Sequence, residues 1–199
     1  MNSMKATVSA VAVLLALPAA AAAAERPSAP PTPDALVEQA MESGPAAVKR
    51  LVNASARDYT LANAILARAT VSTTADAASG PITAAAVTPG CHGPVSSKTT
   101  ISIVGINLGW RKAIVNSWCW SSSAVTSWSV THDEWSGFGY CWKDESQTNT
   151  WLIYPTRLKY RNKGTLAGIA PWGCSGGQQT IAPSVHYERG GGWNVYAND

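Results

Sequence analysis

The residues of this 199-residue chain that could do chemistry are few, and most of them lie after position 90. Four cysteines, Cys91, Cys119, Cys141 and Cys174, contain no C-x-x-C spacing. That pattern offers neither a zinc knuckle nor a thioredoxin-like redox pair, and an even number in an exported chain points to two disulfides. Of the three possible pairings, the sequential one, Cys91 with Cys119 and Cys141 with Cys174, is expected here. His132-Asp133-Glu134 gathers three potential metal ligands. Consecutive strand residues point to opposite faces, so these three converge only in a loop, and a solvated turn is the expectation. Asp133-Glu134 and Asp144-Glu145 would supply the paired carboxylates of a glycosidase only if the fold brought them together. His186 beside Tyr187 reads as structural or exposed, and the Asn53-Ala54-Ser55 glycosylation sequon falls inside a helical pattern. No metal site and no cofactor is expected.

Gly173-Cys174-Ser175-Gly176-Gly177 satisfies G-x-S-x-G, and over these five residues it resembles the G-D-S-G-G segment around the nucleophile of chymotrypsin-like serine proteases. The resemblance implies a Ser175 nucleophile, with His92 and Asp133 preceding it in that family's chain order. It breaks at Cys174, where the family carries the aspartate that pairs with the new N-terminus on activation. A nucleophile elbow joins a strand to a helix, whereas 178–187 reads as a strand, and residues 91–199 suffice for one barrel where that family needs two. A glycine turn around a disulfide is the expectation, and no catalytic residue is assigned.

The elements that must position these residues fall in two compositionally distinct halves. Lys5, the apolar run Ala6–Leu17, Pro18 and the small residues ending at Ala24 read as an export signal cleaved before Glu25. Its removal leaves a net charge near +2, too little for a nucleic-acid partner, and no later segment is apolar for long enough to cross a membrane. Residues 25–69 open Pro-rich. Thr32 and Pro33 then suit the N-cap and first turn of a helix, with Leu36, Val37, Ala40 and Met41 on one face until Gly44-Pro45. Val48, Leu51, Val52 and Ser55, then Leu61, Ala62, Ile65, Leu66 and Ala69, continue at helical spacing. Helices this short are marginal alone, so the segment is a pro-region, a packing element or a stalk. Residues 70–90, rich in Ala, Thr and Ser, read as a linker.

From Cys91 the period becomes two. Strands are expected at 99–104, 110–120, 124–131, 150–154, 157–161, 179–187 and 193–196, with turns at 105–109, 121–123 and 190–192. Short strands punctuated by glycine and proline imply a mainly β, disulfide-bonded antiparallel β-sandwich or small barrel preceded by the helical segment.

All nine tryptophans lie in this second half. Simple alternation through a 121–123 loop would put Trp110, Ile114, Trp118, Trp120, Thr126, Trp128 and Val130 on one side of the sheet. Such indoles either form the core or, if exposed, stack on the flat faces of sugar rings, with Asn116, His132, Asp133 and Glu134 nearby to bind hydroxyls. Trp118, Trp120, Trp128, Asn116 and His132 are the candidate ligand-binding residues.

The stretch NSWCWSSSAVTSWSVTHDEW, the glycine-turn hairpin and the alanine-rich leader together resemble secreted tryptophan-rich β proteins of actinobacteria. That resemblance spans roughly residues 91–199 and implies an extracellular β-sandwich without assigning an activity. The expectation is a secreted, non-enzymatic β-sandwich that binds a cell-wall or extracellular polysaccharide, or another surface protein. The alternative is a secreted hydrolase with an N-terminal pro-region.

Overall fold

The computed structural model describes residues 29–77, 89–152, 156–188, 190 and 192–196, and all of these but 29 and 30 belong to a compact unit of Pro31–Asp199. The expected leader, most of the expected linker, and the side chains of Asp144 and Glu145 lie outside what is described.

Three helices come first: α1 (Pro33–Ser43), α2 (Pro45–Ser55) and α3 (Tyr59–Ala67). Each begins where the sequence supplies a signal. Thr32 Oγ1 accepts from the Ala35 amide at 3.3 Å, and Asp58 accepts from the Thr60 and Leu61 amides at 3.0 and 3.2 Å. Gly44, at φ +95°, separates α1 from α2.

Among the described residues, ten strands form two antiparallel sheets. In the first, β4 (Ile106–Trp120) is central. β5 (Val125–Ser136) follows one of its edges, while β3 (Val95–Ile103) and the short β2 (Gly90–His92) share the other, and β1 (Thr70–Ala77) lies outside β3. The second sheet repeats this plan around β7 (Arg157–Ala170). There β6 (Tyr140–Leu152) holds one edge, β8 (Gly173–Ile181) and β9 (Ser184–Glu188) share the other, and β10 (Trp193–Tyr196) lies outside β9. Sequential disulfides join β2 to β4 through Cys91–Cys119 and β6 to β8 through Cys141–Cys174. The chain is thus a disulfide-bonded β-sandwich, with three helices among the described residues.

Several strands differ from their expected bounds. Residues 70–77, read as the start of the linker, are strand β1, whose threonines and serines suit an exposed edge. The turn expected at 105–109 is a two-residue turn at Val104-Gly105, both at positive φ (47° and 78°), so β4 begins four residues sooner. His132-Asp133-Glu134, expected as a turn, is part of β5, where charged residues are tolerated because the strand is an edge. β6 and β7 are longer than expected, and the 179–187 run is broken at Ala182-Pro183 into β8 and β9. Pro183 cannot donate to a ladder, and its carbonyl instead accepts from the Asn162 amide at 3.0 Å.

Residues of both sheets form two apolar cores. In the first, Val37, Val48, Leu61, Ile65 and Leu66 of the helices pack with Ile101, Ile103, Leu108, Leu166 and Ile181. The helices therefore bury their apolar faces between the same sheets that supply the rest of the core. The second core joins Val95, Ala113, Val115 and Trp118 to Leu158, Tyr160, Val185, Tyr187 and Trp193.

A buried polar layer of Thr99, Arg111 and Asn162 separates the two cores. Arg111 is fully buried. Its Nη1 donates to the Lys163 carbonyl in the opposite sheet at 2.6 Å, its Nη2 pairs with Glu134, and its guanidinium lies 4.9 Å from the Trp142 ring centre. Asn162 answers from the other sheet, donating to the Lys112 carbonyl at 3.1 Å. Gly164 makes room for this layer, since a Cβ there would fall 1.4 Å from Arg111 Nη1.

Two outcomes follow from the layer and the second core. Gly164→Ala should displace the guanidinium and cost about 1–3 kcal/mol, read as a lower urea midpoint at unchanged m; a wild-type midpoint would show that Arg111 does not need this space. Burial raises the Tyr160 hydroxyl to about 12, and raises Tyr187 further, with Tyr160 beside it adding to the effect. Below pH ~10 these tyrosines are neutral folded or unfolded. Between about pH 10 and 12 the unfolded chain ionises them while the fold holds them protonated, so stability falls as pH rises. Among the described residues the buried Tyr187 hydroxyl has no hydrogen-bond partner. Tyr187→Phe should therefore be neutral or stabilising at pH 7 and should shallow the alkaline fall in Tm; an unchanged alkaline slope would contradict this origin.

Candidate functional site

Alternation along β4 turns Arg111, Ala113 and Val115 inward and Trp110, Lys112 and Ile114 outward. Asn116 then interrupts the ladder. Val115 pairs with Val130 and Ser117 with Ser129, so Asn116 is the extra residue of a β-bulge, and the phase of alternation reverses beyond it. On the other edge of β4, Gly93, at φ +146°, joins β2 to β3 so close to the bulge that a Cβ would lie 2.2 Å from the Asn116 carbonyl oxygen. Only glycine fits there.

The bulge disperses the indole row expected from uninterrupted alternation. Trp118 points inward and is 0% exposed, with its ring centre 5.2 Å from that of Tyr187 and 4.9 Å from that of His92. Trp120 is half-buried against the same core. Trp128 pairs directly with Trp118 yet stays 43% exposed, because β5 is an edge strand. His132 is exposed on the inward-facing row of that edge, opposite Ala113. Asn116 is on the outer side, its Nδ2 donating to Thr131 Oγ1 at 3.3 Å. The five candidate ligand-binding residues thus do not meet at one surface, and Trp118 is out of reach of any ligand in solution.

What the outer face of this sheet does assemble is a different aromatic platform. Trp110 and Trp135 are direct cross-strand partners, continuing through Thr100 to Ser72 in one row across four strands. The next row holds Thr74, Lys98, Lys112 and Asp133, and the one beyond it Ser96, Ile114 and Thr131. Adjacent members of a row are ~5 Å apart. Trp135 is 44% exposed and Trp110 half-buried. The Lys98 ammonium lies over the Trp110 ring, 4.4 Å from its centre, anchoring that indole and carrying a positive charge across the platform. Lys98 and Lys112 are directly opposed, a like-charge pair that costs stability on a bare sheet, with Asp133 flanking Lys112. The helices do not cover these rows, since they pack on the inward residues Ile101, Ile103 and Leu108.

A turn at His132-Asp133-Glu134, as the sequence suggests, would end β5 before Trp135, whereas the strand runs on to Ser136. Its signal is the spacing of Thr131, Asp133 and Trp135, which continues the alternation of β5 once charges at an edge are accepted.

The groups considered for catalysis are separated. Ser175 lies in β8, paired with Gly168 in the second sheet, whereas His92 and His132 belong to the first. The turn before Ser175 is Pro171-Trp172, followed by Gly173 at φ +117°. Among the described residues no group of three His, Cys, Asp or Glu could hold a metal ion. A cavity of about 340 Å³ between α1 and α2, lined by Leu36, Ala40, Leu51 and Ala54 with Gln39 and Arg50, has no nucleophile or carboxylate in its wall. The sequon serine, Ser55, is buried, its hydroxyl donating to the Val52 carbonyl at 2.7 Å.

Two disulfides hold the fold, and no helix among the described residues is long and apolar enough to cross a membrane. Compared with protein-family models, with curated proteins and with solved structures, the chain has no match.

Proposed function

We propose that this is a secreted, non-enzymatic β-sandwich that binds an acidic polysaccharide of a cell wall or extracellular matrix through the outer face of its first sheet. The observation that carries the reading is the juxtaposition of Trp110 and Trp135 as cross-strand neighbours beside the opposed lysines Lys98 and Lys112. Two neighbouring indoles reward a ligand with flat apolar faces, as sugar rings have, through dispersion and displacement of water. Thr100, Thr131 and Asn116 supply hydroxyl and amide groups at the margins for directional contacts. The lysine pair favours a ligand that carries carboxylate or phosphate groups, which would relieve its repulsion. Export suits the two disulfides, which persist in an oxidising compartment, and the leader-like first 24 residues.

Retention on insoluble cell wall, on an acidic polysaccharide and on a neutral one tests the reading. Wild type should be retained by the first two and released as salt rises. Trp135→Ala should weaken retention about tenfold, equivalent to ~1.4 kcal/mol, Lys98→Gln combined with Lys112→Gln should remove the preference for the acidic polymer, and Trp172→Ala should behave as wild type. Equal retention of wild type and Trp135→Ala would remove this face as the binding site.

A further inference from the structure

We infer that the turns at one end of the second sheet form a docking tip for a phospholipid surface. The two most exposed large apolar side chains among the described residues are Phe138 and Trp172, at 83% and 73%. Each occupies a turn, where polar residues and glycine ordinarily prevail: Phe138 sits between Gly137 and Gly139 linking β5 to β6, and Trp172 follows Pro171 between β7 and β8. The two turns are neighbours, because the Ile169 amide donates to the Gly139 carbonyl at 3.0 Å and Ile169, itself 44% exposed, lies three residues before Trp172.

The tip is braced from behind. Ala56, in the corner between α2 and α3, lies so near Gly139 that a Cβ there would be 2.7 Å from its Cα, and the Tyr59 ring meets Trp172 edge-on at 5.9 Å. Two rigid turns therefore hold their aromatic residues out in water instead of folding them onto the sandwich.

Area selects the occupant. Phe138, Trp172 and Ile169 together present on the order of 400 Å² of apolar surface. A stable protein partner or a second copy of the chain buries about 800 Å² on each side and needs a complementary shape. A bilayer needs no matching shape and takes up isolated Trp and Phe side chains at the level of its headgroups. The bracing corner contributes one charge of each sign, Arg57 and Asp58, and the nearby Lys143 ammonium is turned to the Gly176 carbonyl, so a zwitterionic surface suffices. This inference is independent of the polysaccharide reading, which uses the outer face of the other sheet.

The test is co-sedimentation of the chain from Glu25 onward, which contains the whole compact unit, with vesicles of phosphatidylcholine alone and of phosphatidylcholine with phosphatidylglycerol. Wild type should bind both within about twofold. Phe138→Ser and Trp172→Ser should each weaken partitioning several-fold and the pair by more than tenfold, while Trp135→Ala should match wild type. As a check that needs no destabilised variant, brominated acyl chains should quench wild-type fluorescence, and Trp172→Phe should lose most of that quenching while still binding. Failure of wild type to sediment with either vesicle, a strict requirement for anionic lipid, undiminished binding by the double variant, or a dimer in sedimentation velocity that the double variant abolishes would each overturn the inference.

Discussion

The arrangement of this molecule turns on one inserted residue. Asn116 adds a bulge to β4, and a strand whose side chains alternate can change which of them face inward only by such an irregularity. Ahead of the bulge the odd-numbered residues Arg111, Ala113 and Val115 face the opposite sheet; behind it the even-numbered Trp118 does. The same strand therefore contributes a charged clasp to the polar layer, an indole to the second core, and a different indole to the outer surface. Gly93 enforces the geometry from the neighbouring edge, where any side chain would collide with the Asn116 carbonyl. Had β4 run without interruption, Trp118 would join Trp110 in water and the second core would lose its largest member.

The polar layer explains how a sandwich with two cores stays in one alignment. Apolar contacts between sheets are tolerant of sliding, whereas Arg111 to the Lys163 carbonyl and Asn162 to the Lys112 carbonyl each name a single partner across the gap. In the interior the guanidinium is paired with Glu134, which remains partly in water, and lies against the face of Trp142. Disulfides then tie the outlying strands: β2 to β4 beside the bulge, and β6 to β8 across the ends of β7. Small cores, a polar key and two covalent ties divide the work that one large core would do in a bigger domain.

Much of this was legible in the chain. Thr32-Pro33, Gly44-Pro45 and the spacing of Val48, Val52, Leu61 and Ile65 mark helices and their buried faces because capping and amphipathicity are local properties. The β period after Cys91, the 193–196 strand and the even cysteine count are likewise local or compositional. What was hidden is non-local. A bulge leaves no residue-type signature at Asn116, and the glycine that makes room beside it, Gly93, lies 23 positions away. The buried state of Arg111 depends on Gly164 and Glu134, distant in sequence, so hydropathy places it outside. β1 was hidden because its Thr and Ser content suits a linker and an edge strand equally. The candidate platform inherits the same limit: its tryptophans were visible, but which of them share a face was not.

The central claim, that the bulge sends Trp118 inward while leaving Trp110 and Trp135 outward, is tested most directly by acrylamide quenching of the protein with single Trp→Phe replacements. Replacing Trp118 should remove a blue-shifted emission that acrylamide does not reach, whereas replacing Trp135 should remove a red-shifted, readily quenched one, and Trp110 should fall between them. A readily quenched, red-shifted contribution from Trp118 would mean that the alternation of β4 continues through Asn116, and the assignment of the two faces would be reversed.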